Sequence, residues 1–318
     1  MLVSAGGMAV YDAESNVFNL LLPRFGDLSV PRNRERLMST WLRSKMFAVS
    51  GLDSKQIKTR VLDECRSYGD FLRIVMEEIA LRQNVNRWAE CTPTHLLYLP
   101  EIKRSMPRAL VIHIIRDGRD VALSLDKQKW VRNFWWEKKP TVMAAALYWR
   151  WMVRRGREYG RIIGSSYMEV RYDELVREPR RVLAEVSRFI DHELDYDRIL
   201  RTGIGSVSKP NTSFEVDQKS EFTPIGRWKN LLSGDDLAVM EGLIGDILVE
   251  LGYPLATESH RLLSQQANLA LTRRLYDLRF DFKQWIKTKT RLNKFWHRQV
   301  PPLAPFSKAS GVSQFNKT

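Results

Sequence analysis

The sequence is poor in cysteine, in acidic residues and in long apolar runs. Its two cysteines, Cys65 and Cys91, are too few and too far apart for a disulfide framework or a zinc site. A reducing cytoplasm is the compartment that fits. No apolar run approaches the ~20 residues a membrane-spanning helix needs, and no basic-then-apolar leader pattern opens the chain. Internal repeats are absent, as are helix-turn-helix, RNA-recognition and zinc-finger patterns, so a nucleic-acid partner is not expected. Asp and Glu number 37 against 51 Lys and Arg, a net charge of +14. Such an imbalance by itself implies an anionic partner and does not choose among a nucleotide, a nucleic acid, a sulfated or phosphorylated substrate and a membrane surface.

What is there is a chain of 318 residues, 44% hydrophobic, enough to bury a full core. Short apolar strands alternate with longer helical segments, the arrangement of an α/β protein with a parallel sheet flanked by helices. Strands are predicted over 8–11, 109–115 and 167–172, and helices over 18–22, 34–46, 70–83, 142–159, 180–190 and 235–251. A main domain at 1–258 is then followed by a basic tail at 259–318, where Leu271, Leu275, Leu278, Phe282 and Trp285 share one helical face. That face suits either an anionic membrane or packing on its own domain. The last twenty residues read as disordered.

The most informative stretch is "VIHIIRDGRDVALSL", from Val111 to Leu125. In parallel α/β sheets, ligands bind beyond the carboxyl ends of the strands, where the next helix presents unpaired N–H groups. Arg116 falls at that point. With a helix beginning near Asp120, Ser124 lies about one turn in, and the two suit a phosphate. Asp117 and Asp120 then cap the helix and hold the arginines. An Arg/Asp network that merely ties strand to helix is equally compatible with these residues.

The neighbouring blocks bear on that choice. "RWAECTPTHLLYLPEI", "YMEVRYDELVREP", "NTSF" and "IGRWKNLLS" accompany the strand in a fixed order. Together they resemble the PAPS-dependent sulfotransferases, bacterial members and the branch containing the tyrosylprotein enzymes above all, over roughly residues 9–254. The resemblance implies a P-loop-kinase-like fold and 3′-phosphoadenosine 5′-phosphosulfate as donor, with no metal. It assigns Arg116 and Ser124 to the donor's 3′-phosphate, Tyr172 to the adenine side, Ser213 and Arg227 to closure over the phosphosulfate and phosphates, and Glu14 to the catalytic base, with Asp12 competing. A base within hydrogen-bond reach is what the chemistry requires, because the acceptor hydroxyl must lose its proton as it attacks sulfur.

Two departures stand against this. Where many relatives have E-K-T-P, this chain has Glu90-Cys91-Thr92-Pro93, and a neutral thiol does not replace a fixed cation. His95 and His113 read as a helix start and a strand residue, not as catalysts. Relatives also carry a strand and a P-R-S-G-T-T-like loop ahead of the position matching Glu14, and nothing like it precedes "MLVSAGGMAVYDAES". The first strand and phosphosulfate loop are therefore read as missing, either because the true chain begins upstream or because the protein has degenerated, and weak nucleotide binding with little transfer is expected of this form. The expected function is sulfuryl transfer to a hydroxyl of a carbohydrate, lipid or small molecule; the alternative is a non-catalytic nucleotide- or anion-binding relative. Localisation is expected to be cytoplasmic, with peripheral membrane contact through the basic tail.

Overall fold

The computed structural model describes residues 1–137, 140–202, 225–257, 263–290 and Leu303. It divides into two compact units, one of Met1–Ala109 with Ile286–Thr318 and one of Leu110–Trp285. The architecture is α/β and mostly helical, with two small parallel ladders among the described residues.

In the first unit, β1 (Met8–Ala9) pairs in parallel with β2 (Arg87–Trp88). The strand is shorter than the 8–11 pattern suggests because Val10 leaves the ladder: its N–H donates to the Gln83 side chain at 2.7 Å, and Gln83 donates back to the Val10 carbonyl at 2.8 Å. The expected helix at 18–22 is a single wide turn, Val17–Leu21, entered through left-handed Asn16 and running into Leu22–Phe25. The 34–46 pattern splits into Pro31–Trp41 and Lys45–Ser50. Ser44 makes the break, since its hydroxyl accepts from Phe47 N–H and caps a second helix. Tyr68–Arg82 opens with a Ser67/Asp70 capping box and buries Phe71, Ile74, Val75 and Met76 against Leu37, Trp41 and Val61 in the core.

In the second unit, β3 (Val111–Ile115) and β4 (Tyr167–Arg171) pair in parallel, Val111 opposite Tyr167 and Ile115 opposite Arg171. The crossover contains the helices Gly118–Lys127 and Thr141–Ile163, which pack on each other. The helix after β3 begins two residues earlier than the expected start near Asp120, because Asp117 serves as N-cap and accepts from Arg119 N–H at 2.9 Å. Only glycine fits at 118: a Cβ there would meet the Trp149 ring at 2.4 Å. Tyr172, read as the last strand residue, instead opens a short helix, Tyr172–Arg177. Gly234–Glu250 is capped by Ser233 and stopped by Gly252 at φ +74°.

The helix Leu263–Lys289, taken from the segment read as a basic tail, is held against Thr141–Ile163. Tyr276 and Phe280 are buried, Arg150 and Arg155 reach Asp277 and Asp281 at 3.2 and 2.7 Å, and Trp151 donates to Asp281 at 2.9 Å. Among the described residues no helix is long and apolar enough to cross a membrane. The segments at 291–302 and 304–318, where disorder is expected, lie outside the described residues.

Candidate functional site

Candidate chemistry gathers in two places, one in each unit. In the second unit the register of β3 and β4 makes Arg116 and Tyr172 the next residues along neighbouring strands, at their carboxyl ends. The Arg116 guanidinium carbon lies 5.0 Å from the centre of the Tyr172 ring, a cation–π contact. On its other side Arg116 approaches the Asp120 carboxylate at 3.6 Å. Asp120 is fully buried and accepts the backbone N–H groups of Gly226 and Trp228 at 2.8 and 3.1 Å. Those two residues flank Arg227, so one carboxylate draws the "GRW" loop to the strand end.

Two cations therefore share this place. Burial, and then the like charge of Arg116, depress the pKa of Arg227, while Asp120 and Tyr172 act in the opposite sense. Burial raises the pKa of Asp120 against the N–H groups and Arg116 that favour its charge. Ser124 stands one turn beyond Asp120 on the Gly118–Lys127 helix, on the same face. The structure thus brings Arg116, Tyr172 and Arg227 together and sets Ser124 on the adjoining helix face. Ser213 lies outside the described residues.

Arg119 has a different part from its neighbour in the motif. It is 1% exposed and forks onto Asp117 at 2.8 Å, pairs with Glu241 at 2.6 Å, donates to the Pro254 carbonyl at 3.1 Å and stacks on Trp228 at 3.8 Å. One arginine of R-D-G-R-D is a structural tie. The other faces the strand end.

In the first unit the hub is Glu90. One oxygen accepts from the Ser15 hydroxyl at 2.7 Å and from Thr92, and the other lies 2.9 Å from His95 Nδ1. Phe18 N–H donates to His95 Nε2 at 3.2 Å, which leaves the proton on Nδ1 to face Glu90. Burial alone would raise the pKa of Glu90; the hydrogen bonds from His95, Thr92 and Ser15 hold it below the ordinary value. Glu14 is exposed beside this hub. Partial burial and the negative charge of Glu90 raise its pKa, and His95 opposes them. Burial, Glu90 and Glu14 also push the Cys91 thiol up, away from thiolate character.

Asp12 is exposed. His113 lies within β3 and hydrogen-bonds Tyr167 of β4 at 2.6 Å, a cross-strand tie. Among the described residues no group of three or more His, Cys, Asp or Glu is arranged to hold a metal ion. Sequence reasoning passed over Glu90 and His95 as functional residues. Their only local signal is the proline-led turn Pro93–Tyr98, which bends the chain so that a histidine five positions on can return to the glutamate.

A parallel α/β crossover with paired arginines at its strand ends defines a class of protein suited to an anionic ligand. The family model described as the sulfotransferase family matches residues 15–196, and the chain belongs to that family. Solved structures similar to this chain include two sulfotransferase domains. The sulfotransferase domain from the Synechococcus PCC 7002 olefin synthase has a TM-score of 0.51 at 16% identity, over 80% of this chain and 89% of that one. The sulfotransferase domain from the curacin biosynthetic pathway has a TM-score of 0.46 at 15% identity, over 80% of this chain and 92% of that one. Of the two, the olefin synthase domain bears on the fold. No curated protein matches by sequence.

Proposed function

We propose that this protein transfers a sulfuryl group from 3′-phosphoadenosine 5′-phosphosulfate to a hydroxyl of a carbohydrate, lipid or small molecule. The observation that carries the reading is that one buried carboxylate, Asp120, pairs with Arg116 and holds through backbone N–H groups the loop that carries Arg227, beside the Tyr172 ring. Two cations beside an aromatic ring at the carboxyl end of a parallel strand suit a nucleotide, its phosphate against the guanidinium groups and its base against the ring. In this reading Arg116 and Ser124 bind the 3′-phosphate, Tyr172 meets the adenine side, Arg227 and Ser213 close over the phosphosulfate, and Glu14 accepts the proton of the attacking hydroxyl. The raised pKa of Glu14 suits that role, since a stronger base drives proton transfer better near neutral pH.

A second reading rests on Cys91. Its surroundings are acidic, Glu90 and Glu14, at the position where many relatives have a lysine, so no cation there would stabilise charge on the departing phosphate. The protein would then be a nucleotide- or anion-binding relative without transfer.

Calorimetry with 3′-phosphoadenosine 5′-phosphate, against adenosine 5′-phosphate as the control lacking the 3′-phosphate, tests the binding common to both readings. Transfer of labelled sulfate across an acceptor panel then separates them. Equal affinity for the two nucleotides overturns the assignment of Arg116 and Ser124; selective binding with no transfer favours the second reading.

A further inference from the structure

The helix Leu263–Lys289 has two unlike faces. Inward, Tyr276 and Phe280 are buried and form a chain of ring contacts with Tyr148 and Trp151 of the Thr141–Ile163 helix. Outward, Leu271, Leu275, Leu278, Phe282 and Trp285 are between 44% and 59% exposed and recur at alternating four- and three-residue spacing, one unbroken stripe. A stripe of that length left in water is uncommon on a protein surface and marks a docking face.

The loop beside it has the same character. Phe134 packs edge-on against Tyr276 at 4.9 Å and lies under the Arg279 guanidinium at 4.6 Å, which brings its neighbours alongside the helix. Those neighbours, Trp135 and Trp136, are 91% and 56% exposed. Indoles set beside an apolar stripe are the side chains that favour a lipid headgroup boundary.

Charge decides among the occupants. Between residues 266 and 290 the only acids are Asp277 and Asp281. Both are turned inward: Asp277 onto Arg150 and Arg154 at 3.2 and 3.1 Å, and Asp281 onto Arg155 at 2.7 Å. The stripe is accordingly bordered by basic residues, with Arg274 and Lys283 exposed and Arg279 half-buried. A second copy of the chain fits less well. The four–three spacing would allow a parallel helix pair, but in that register Arg274 of one copy meets Arg279 of the other, a like-charge contact on each side of the seam.

We propose that this face, the outward stripe of the Leu263–Lys289 helix together with Trp135 and Trp136, seats the protein on an anionic lipid surface. The apolar side chains enter the headgroup boundary and the flanking cations meet acidic headgroups. The helix stays docked on its own unit while bound, because its inward face is already occupied.

The test is co-sedimentation of the full chain with phosphatidylcholine vesicles, with and without phosphatidylserine. Expected are pelleting with the anionic vesicles alone and release by raised salt. Leu278→Asp with Phe282→Asp lowers the partition coefficient about tenfold or more, and Arg274→Glu or Lys283→Glu lowers it roughly fivefold or more each. These positions are solvent-facing, so the variants keep the wild-type circular dichroism. On the unmodified protein, brominated lipid should quench tryptophan fluorescence in anionic vesicles. Equal pelleting with both vesicle types, pelleting with neither, or wild-type pelleting by the double Asp variant overturns the proposal. So does a wild-type dimer in sedimentation velocity that the double variant dissolves without lipid, which would assign the stripe to a second copy.

Discussion

Asp120 stands 3.6 Å from the Arg116 guanidinium with both carboxylate oxygens already taken by backbone N–H groups from a loop more than a hundred residues away. The acid is thus the joint of the candidate nucleotide site: it orients one arginine directly and positions a second through the loop that carries it. Asp120→Asn replaces a two-oxygen acceptor by one oxygen and an amide that faces backbone donors. About 3 kcal/mol of stability should be lost, measured by urea unfolding, along with the mutual placement of Arg116 and Arg227. A loss under about 1 kcal/mol would show that the loop holds itself.

Arg116→Ala should weaken binding of 3′-phosphoadenosine 5′-phosphate by on the order of 2 kcal/mol or more, through loss of a charge-assisted contact. Arg227→Ala should act in the same direction and Ser124→Ala should cost less, all read by calorimetry. Unchanged affinity in Arg116→Ala would remove the nucleotide from this strand end.

Glu14→Gln should leave nucleotide affinity intact and lower turnover by roughly 100-fold or more. A base acts only when unprotonated, so wild-type kcat/KM should fall as pH drops through the raised pKa of Glu14. Glu90→Gln removes the negative charge that helps to raise it, so the inflection should move to lower pH. A shift to higher pH, or none, would separate Glu90 from the base. Turnover near wild type in Glu14→Gln would move the role to Asp12 or the acceptor.

His113 gives stability a pH dependence of its own. Burial, with a smaller contribution from the charge of Arg157, lowers its pKa from 6.5 to about 4. The unfolded chain therefore binds a proton that the folded one refuses. Stability contributed by neutral His113 is present above pH 6.5 and declines as pH falls toward 4, a loss of about 3 kcal/mol at most. His113→Gln keeps a polar partner for Tyr167 without titrating, so the difference in unfolding free energy between neutral and acid pH should shrink. An unchanged difference would assign the acid sensitivity to other groups.

Much of this was legible in the order of the residues. The apolar run before Arg116, the helical spacing from 142 and the Pro179 start are local signals set by side-chain period and backbone restriction, and they fall within a few residues of β3, Thr141–Ile163 and Pro179–Ile190. Element ends were less legible, because caps compete: Ser44 breaks one helical pattern and Asp117 starts another early. The family was legible too, because its blocks keep their order.

The chain alone therefore determined which residue types stand at the strand end: Arg116, the helix that follows it, and a glutamate near each of two turns. Only the tertiary structure decided which charges meet. Arg116 and Arg119 are indistinguishable in the motif, yet one is locked between Asp117 and Glu241 and the other reaches Asp120. Glu90 reads as one more acid until His95, Thr92 and Ser15 converge on it. The tail helix likewise shows its apolar stripe in sequence, but which face is buried followed from Asp277 and Asp281 finding three arginines 123 or more positions earlier. Period and propensity act over a few residues, whereas burial and ion pairing act between segments that only folding brings together.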